Sequence, residues 1–145
     1  MANISGSCSA HIKSETSFFP DDQQNHQLQI SEIQAIQKSP DPSWNNARLV
    51  YHGFADLLAG NGTQRGYFCT EHADGDRDCG TFDGKVITTG GDVKFEGTFI
   101  FTSGTGKLQG IKGNGRYNGR LVSPTEIQMN WTAAYEVGTV TGKVA

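Results

Sequence analysis

The side chains best equipped for chemistry lie in three places, and each suggests a different chemistry. The first is Asp74-x-Asp76-x-Asp78, flanked by His72 and Cys79: carboxylates, an imidazole and a thiol, all metal-ligand types. It lacks the glycine at loop position six and the distal glutamate of a calcium loop, and it has no zinc-finger spacing. A solvated acidic turn without a metal is the expectation. The second is the glycine-rich stretch 104–119, which invites comparison with a phosphate loop. Gly106-Lys107 is followed by Leu108 rather than Ser or Thr, and no helix opens there to offer its N–H groups to a phosphate. The third is the cysteines, Cys8, Cys69 and Cys79. A hairpin turning near Asp74 puts Cys69 and Cys79 opposite each other, which allows a cross-strand disulfide. Two reduced thiols are the expectation for a chain with no visible secretion signal. No G-x-S-x-G elbow is present, and spacing joins no serine, histidine and acid into a triad. His52 and His72 are read as hydrogen-bonded or exposed, with acid–base work as the alternative.

These residues are carried by an all-β chain. Glycine makes up 19 of 145 residues, well above its usual share, and it falls between short runs of β-branched and aromatic residues, as turns and barrel corners require. In 93–102, Val93, Phe95, Gly97, Phe99 and Phe101 share one face against Lys94, Glu96, Thr98 and Thr102. In 126–136, Ile127, Met129, Trp131, Ala133 and Tyr135 alternate with polar residues. Both are strands with one buried side. Further strands are predicted at 26–37 (a helix being the alternative there), 47–58, 64–72 and 79–88. Strand 47–58 is apolar on both faces, which predicts a covering segment or a subunit interface. Gly60-Asn61-Gly62 predicts a type I′ hairpin turn, and Pro40 and Pro42 end the preceding strand. Gly110, Gly113, Gly115 and Gly119 are expected to allow bulges or a sharp bend. Residues 1–22 lack sustained periodicity and are read as a flexible arm, with 23–145 as one barrel domain. Seven or eight strands fit a barrel or a sandwich, and closure into a barrel removes exposed edges.

Length and charge narrow the partners. A chain of 145 residues can bury a core without metal staples. A net charge of −3 and no basic cluster argue against nucleic acid. No run approaches the ~20 apolar residues of a membrane span. The first residues do not read as a secretory signal, so a cytoplasmic protein is the default expectation, although a leader removed before Met1 would leave no trace. The inward aromatics serve first as core, each worth roughly 1.5–3 kcal/mol when buried. A barrel of this strand number can instead hold one small ligand, and inward glycines such as Gly97 would leave room for it. Tyr51, Phe95, Phe99, Phe101, Trp131 and Tyr135 are then the ligand-facing candidates.

One segment also carries a resemblance. Phe95-Glu96-Gly97-Thr98-Phe99-Ile100-Phe101-Thr102-Ser103-Gly104-Thr105-Gly106-Lys107-Leu108-Gln109-Gly110-Ile111-Lys112-Gly113 resembles the strand, glycine-rich turn and F/L-x-G-I/V-x-G segment of the allene oxide cyclase-like barrels. The resemblance covers roughly residues 92–120. It implies a closed antiparallel eight-stranded, lipocalin-like barrel with an apolar cavity, often assembled into homo-oligomers such as dimers or trimers. Ser31-Glu32-Ile33-Gln34 and Ser39-Pro40 are similar to the first strand and following loop of the plant cyclases, and Tyr67-Phe68-Cys69 to the strand carrying their cavity cysteine. The implied catalytic set is therefore Glu32, Gln34, Ser39, Pro40 and Cys69. Glu32 would stabilise developing positive charge as an epoxide opens, Ser39 and Pro40 would help hold a water, and Cys69 would shape the pocket. Position 34 is Gln where the family has Asn, and Glu32 lies one residue closer to Pro40. The implied reaction is a cofactor-free cyclisation or isomerisation of a small hydrophobic molecule. A non-catalytic carrier and a solid-core oligomerising protein are the alternatives.

Overall fold

A computed structural model of the chain describes residues 1–138. Eight strands follow one another: β1 (Ala2–Phe18), β2 (His26–Ile36), β3 (Arg48–Leu58), β4 (Asn61–Glu71), β5 (Arg77–Thr89), β6 (Asp92–Gly104), β7 (Lys112–Ser123) and β8 (Glu126–Glu136). Each pairs antiparallel with the next, and β8 pairs with β1 to close the barrel. The only helical element among the described residues is a 3-10 turn, Gly106–Leu108, between β6 and β7. Closure gives every strand two partners, so no long edge is left to pair with another chain.

The alternation expected in β6 and β8 is present: Phe101, Ile127, Trp131 and Ala133 are buried, with Phe95, Phe99 and Tyr135 packed against them. Segment 26–36 is a strand, not a helix. Three expectations are corrected. Residues 1–22 are not a loose arm, because Ala2–Phe18 forms β1, in register with both β2 and β8. Its inward residues Ile4, Cys8 and Ala10 are buried, but apart from Ile4 the inward positions 4–10 carry only small residues, so the segment lacks the hydrophobic weight of a core strand. The glycines of 113–119 do not mark a bend; they lie in β7, paired on both sides. The first tight hairpin turn is Ala59-Gly60, both at positive φ (53° and 81°), with Leu58 opposite Asn61. Asn61 instead braces the turn from β4, donating to the Ala59 carbonyl at 3.1 Å and accepting from the Thr88 N–H at 2.8 Å.

The inward glycines have a common purpose. A Cβ on Gly6 would sit 2.6 Å from the Trp131 ring, and one on Gly66 would sit 2.8 Å from Phe82. Gly80 lies beneath Phe68 and Gly115 beneath Phe99 in the same way. Each large ring lies over a glycine of the neighbouring strand. The rings therefore leave the barrel axis clear instead of filling it.

Candidate functional site

The barrel interior encloses a cavity of about 450 Å³. Its walls are mainly apolar, with Leu49, Tyr51, Phe82, Val86, Phe95 and Phe99 among the residues that face it. At one end it reaches the hairpin ends, where Glu15, Gly60, Thr88 and Pro124 line it, and Glu15 and Pro124 are exposed there. The other end is closed. The loop 37–47 folds across it and inserts Trp44, only 2% exposed, against Tyr135, Trp131 and Phe101 at ring separations of 5.5, 5.8 and 6.0 Å. The loop is held by backbone hydrogen bonds between Lys38 and Ser7, 2.8 Å in each direction.

The floor beneath Trp44 is polar. Asp78 faces the cavity and is fully buried. Its Oδ2 lies 2.7 Å from Nε2 of His72, whose Nδ1 lies 2.8 Å from the Ser43 carbonyl oxygen. The edge of Trp44 covers the imidazole, ring centroids 4.5 Å apart. Both ring nitrogens face acceptors, so a doubly protonated imidazole satisfies both. Burial works against that charge, but the hydrogen bonds to Asp78 and to the Ser43 carbonyl outweigh it and hold the His72 pKa above its ordinary value. Burial also raises the Asp78 pKa, with His72 pulling the other way. Asp78 Oδ1 has no partner, the one such buried side-chain atom among the described residues. The expectation of a solvated acidic turn is thus corrected for Asp78. Its neighbours Asp74 and Asp76 do behave as a turn, bracing Lys107 through Nζ and N–H respectively. Among the described residues no group of three or more His, Cys, Asp or Glu converges as a metal site.

Further up the cavity the Tyr117 hydroxyl donates to Gln64 Oε1 at 2.7 Å. That hydroxyl occupies the space above Gly84 and Gly97. Gly97 therefore makes room for the backbone of β5 at Asp83 and Gly84 and for the Tyr117 hydroxyl, not for a ligand. Burial raises the hydroxyl pKa of both Tyr51 and Tyr117, so both remain neutral phenols. It pushes the Cys8 thiol up to about 12, which makes that cysteine an inert packing residue.

Of the ligand-facing candidates, Tyr51, Phe95, Phe99, Phe101 and Trp131 line the cavity. Tyr135 packs at the closed end, accepting from Trp44 Nε1 at 3.3 Å. The residues singled out by the resemblance are placed differently. Glu32 and Gln34 lie on the outer surface of β2, where Glu32 meets His52 at 3.2 Å and the Gln34 amide at 3.3 Å. The Glu32 and His52 side chains are 38% and 59% exposed. Ser39 is a brace of the capping loop, donating to the Ser5 carbonyl at 2.6 Å and accepting from the Asp41 N–H at 3.1 Å, with Pro40 beside it. Cys69 is opposite Cys79 on the outer face and is disulfide-bonded to it, Cα atoms 4.1 Å apart. Reduced thiols were the expectation; the disulfide, which the direct register of β4 and β5 permits, corrects it. The five residues do not converge on the cavity. Sequence reasoning missed the polar floor and the Trp44 plug. The signal for Asp78 was the Cys69–Cys79 pairing itself, which sets Asp78 opposite the buried Thr70.

No protein-family model matches the chain, and no curated protein matches its sequence. No helix among the described residues is long and apolar enough to cross a membrane.

Proposed function

We propose that this barrel binds one small, mainly apolar molecule in its interior. The observation that carries the reading is the 450 Å³ cavity, kept open because the large rings lie over glycines. That volume falls within the usual range for small-molecule sites, and an eight-stranded barrel is wide enough for one such guest. A cyclase or isomerase of the allene oxide cyclase type is the catalytic form of the same reading. Its implied acid, Glu32, stands on the outer surface, so binding is favoured over that chemistry.

Titration with the neutral fluorophore phenylnaphthylamine tests the proposal. Saturable one-site binding is expected, and Ala55→Trp, which places an indole in the cavity, should abolish it while the β-sheet circular dichroism is kept. Absence of binding by the folded wild-type protein would overturn the reading.

The Cys69–Cys79 bond fits an oxidising compartment, and we place the chain there in preference to the cytoplasm. Self-association as a dimer or trimer is assigned to the outer face of β2 and β3, where the cross-strand partners Ile30 and Phe54 are 52% and 36% exposed. Light scattering on the purified protein distinguishes it from a monomer.

A further inference from the structure

We infer that Asp78 is the anchor for a hydroxyl group, so that the guest is a neutral alcohol or phenol bound head-first against the closed end of the barrel. The inference rests on the binding reading above and specifies the chemistry of its ligand.

Two observations carry it. The first is the vacant acceptor. Asp78 is 0% exposed and lines the cavity, its Oδ2 is engaged by His72, and its Oδ1 has no partner among the described residues. A buried carboxylate oxygen left without a donor is costly. Because Asp78 has no exposed surface even toward the cavity, a guest O–H reaches Oδ1 by displacing the side chains that cover it, and its hydrogen bond then removes that cost. The second is the charge of the lining. Among the described residues no lysine, arginine or histidine lines the cavity, and the carboxyl groups that line it are Asp78 at the floor and Glu15 at the mouth. A fatty acid inserted carboxylate-first would set a second carboxylate against Asp78, while the one imidazolium at the floor, His72, is already taken up by Asp78 and the Ser43 carbonyl. An ammonium head is opposed from the other side: His72 already balances Asp78, so the incoming charge would be dehydrated beside an imidazolium. A hydroxyl is neutral, donates one hydrogen bond, and leaves the existing pair intact.

The remaining lining suits the rest of such a molecule. Phe68, Phe99 and Phe101 form a ladder of edge-to-face rings directly above the floor, with centroids 5.6 to 6.0 Å apart. Gln27 and Gln29 stand near the mouth, where a wet end of the guest could be hydrated.

The test compares head groups on one chain length: decanol, decyl methyl ether, decanoate and decylammonium. Trp44 and Trp131, the two tryptophans of the chain, both line the cavity, so intrinsic fluorescence reports occupancy near the floor. Decanol should bind about ten-fold or more tightly than the ether, which keeps the oxygen but has no donor, as a hydrogen bond to a charged acceptor implies. Decanoate and decylammonium should both be weaker than decanol. In Asp78→Ala the margin of alcohol over ether should vanish. Equal binding of decanol and the ether by wild-type protein, or tighter binding of decanoate or decylammonium, would overturn the assignment of Asp78 while leaving the cavity as a binding site. If none of the four binds, and phenylnaphthylamine fails too, the binding reading itself falls. The wild-type comparison decides the matter even if Asp78→Ala does not fold.

Discussion

Replacing His72 by alanine should cost more stability than replacing its partner Asp78, although both leave one buried group behind. In His72→Ala the Asp78 carboxylate keeps neither oxygen paired, in a site with no solvent exposure. Breaking a buried pair in this way typically costs about 3–5 kcal/mol. In Asp78→Ala the imidazole can shed its proton and keep its 2.8 Å contact with the Ser43 carbonyl, so the loss should be nearer to that of one unsatisfied group, about 1–3 kcal/mol. The double substitution should be no worse than His72→Ala alone, because it removes the orphaned carboxylate. Urea unfolding of the four proteins measures each change, read at constant m. The pH dependence has a definite sign. The folded pKa of His72 lies above the ordinary 6.5, so its contribution is complete below 6.5 and is lost as pH rises through the folded value. Asp78 is also raised above its ordinary 3.8, so the folded state holds that proton more tightly as well, and its contribution likewise declines as pH rises. The stability gap between wild type and the double variant should therefore narrow with rising pH and narrow again above pH 6.5. Additive single costs, or a gap that widens with pH, would refute the account of the pair.

Three other outcomes follow from the placement of the cysteines, Gly97 and Glu32. Thiol titration of unfolded protein should find one reactive cysteine without reductant, Cys8, and three with it; three without reductant would remove the disulfide and the compartment inferred from it. Gly97→Val should press on the Asp83 carbonyl of β5 and displace the Tyr117 hydroxyl from Gln64, lowering stability by about 1–3 kcal/mol, measured by urea unfolding, whereas an unchanged midpoint would show that neither the β5 backbone nor the Tyr117 ring needs the glycine. Glu32→Gln should leave phenylnaphthylamine affinity within about two-fold of wild type, since the side chain is outside the barrel; a larger loss would return Glu32 to the binding site.

The parts of the fold legible in the sequence are those where one strand carries its own hydrophobic contrast. Strands β6 and β8 set aromatics against polar residues, and their inward faces follow from period two alone. Strand β1 has the same period, Ile4, Gly6, Cys8 and Ala10 against Ser5, Ser7 and Ser9, but after Ile4 its inward positions 6–10 are small because its neighbour supplies the volume. Trp131 of β8 lies over Gly6, so the evidence of burial is shared between strands far apart in the chain. β7 was obscured for the same reason: Gly115 is a wall position beneath Phe99, not a turn, and no local pattern separates it from Gly90 and Gly91, which do turn at positive φ.

The misplacement of Glu32 follows from parity. Segment 26–36 carries apolar residues on both faces, so hydropathy alone did not decide which one turned inward. Ile33 and Ala35 are buried, while Ile30, on the same side as Glu32, is 52% exposed. A shift of one residue exchanges the two faces of a strand, and a short motif match such as Ser31-Glu32-Ile33-Gln34 contains nothing that fixes the shift. Cys69 illustrates the same point from the other direction. The Tyr67-Phe68-Cys69 match leaves open whether the ring or the thiol faces inward, and in the barrel it is Phe68 that lines the cavity. Asp78, by contrast, could have been placed from pairing alone: with Cys69 opposite Cys79, the residue before Cys79 must lie beside the one after Cys69, on the opposite face from the cysteines. Hydropathy alone assigns an aspartate to solvent, whereas Asp78 is buried. Cross-strand register thus identified the chemically capable group in this barrel more securely than motif similarity did, because register determines the face and a motif of three or four residues does not.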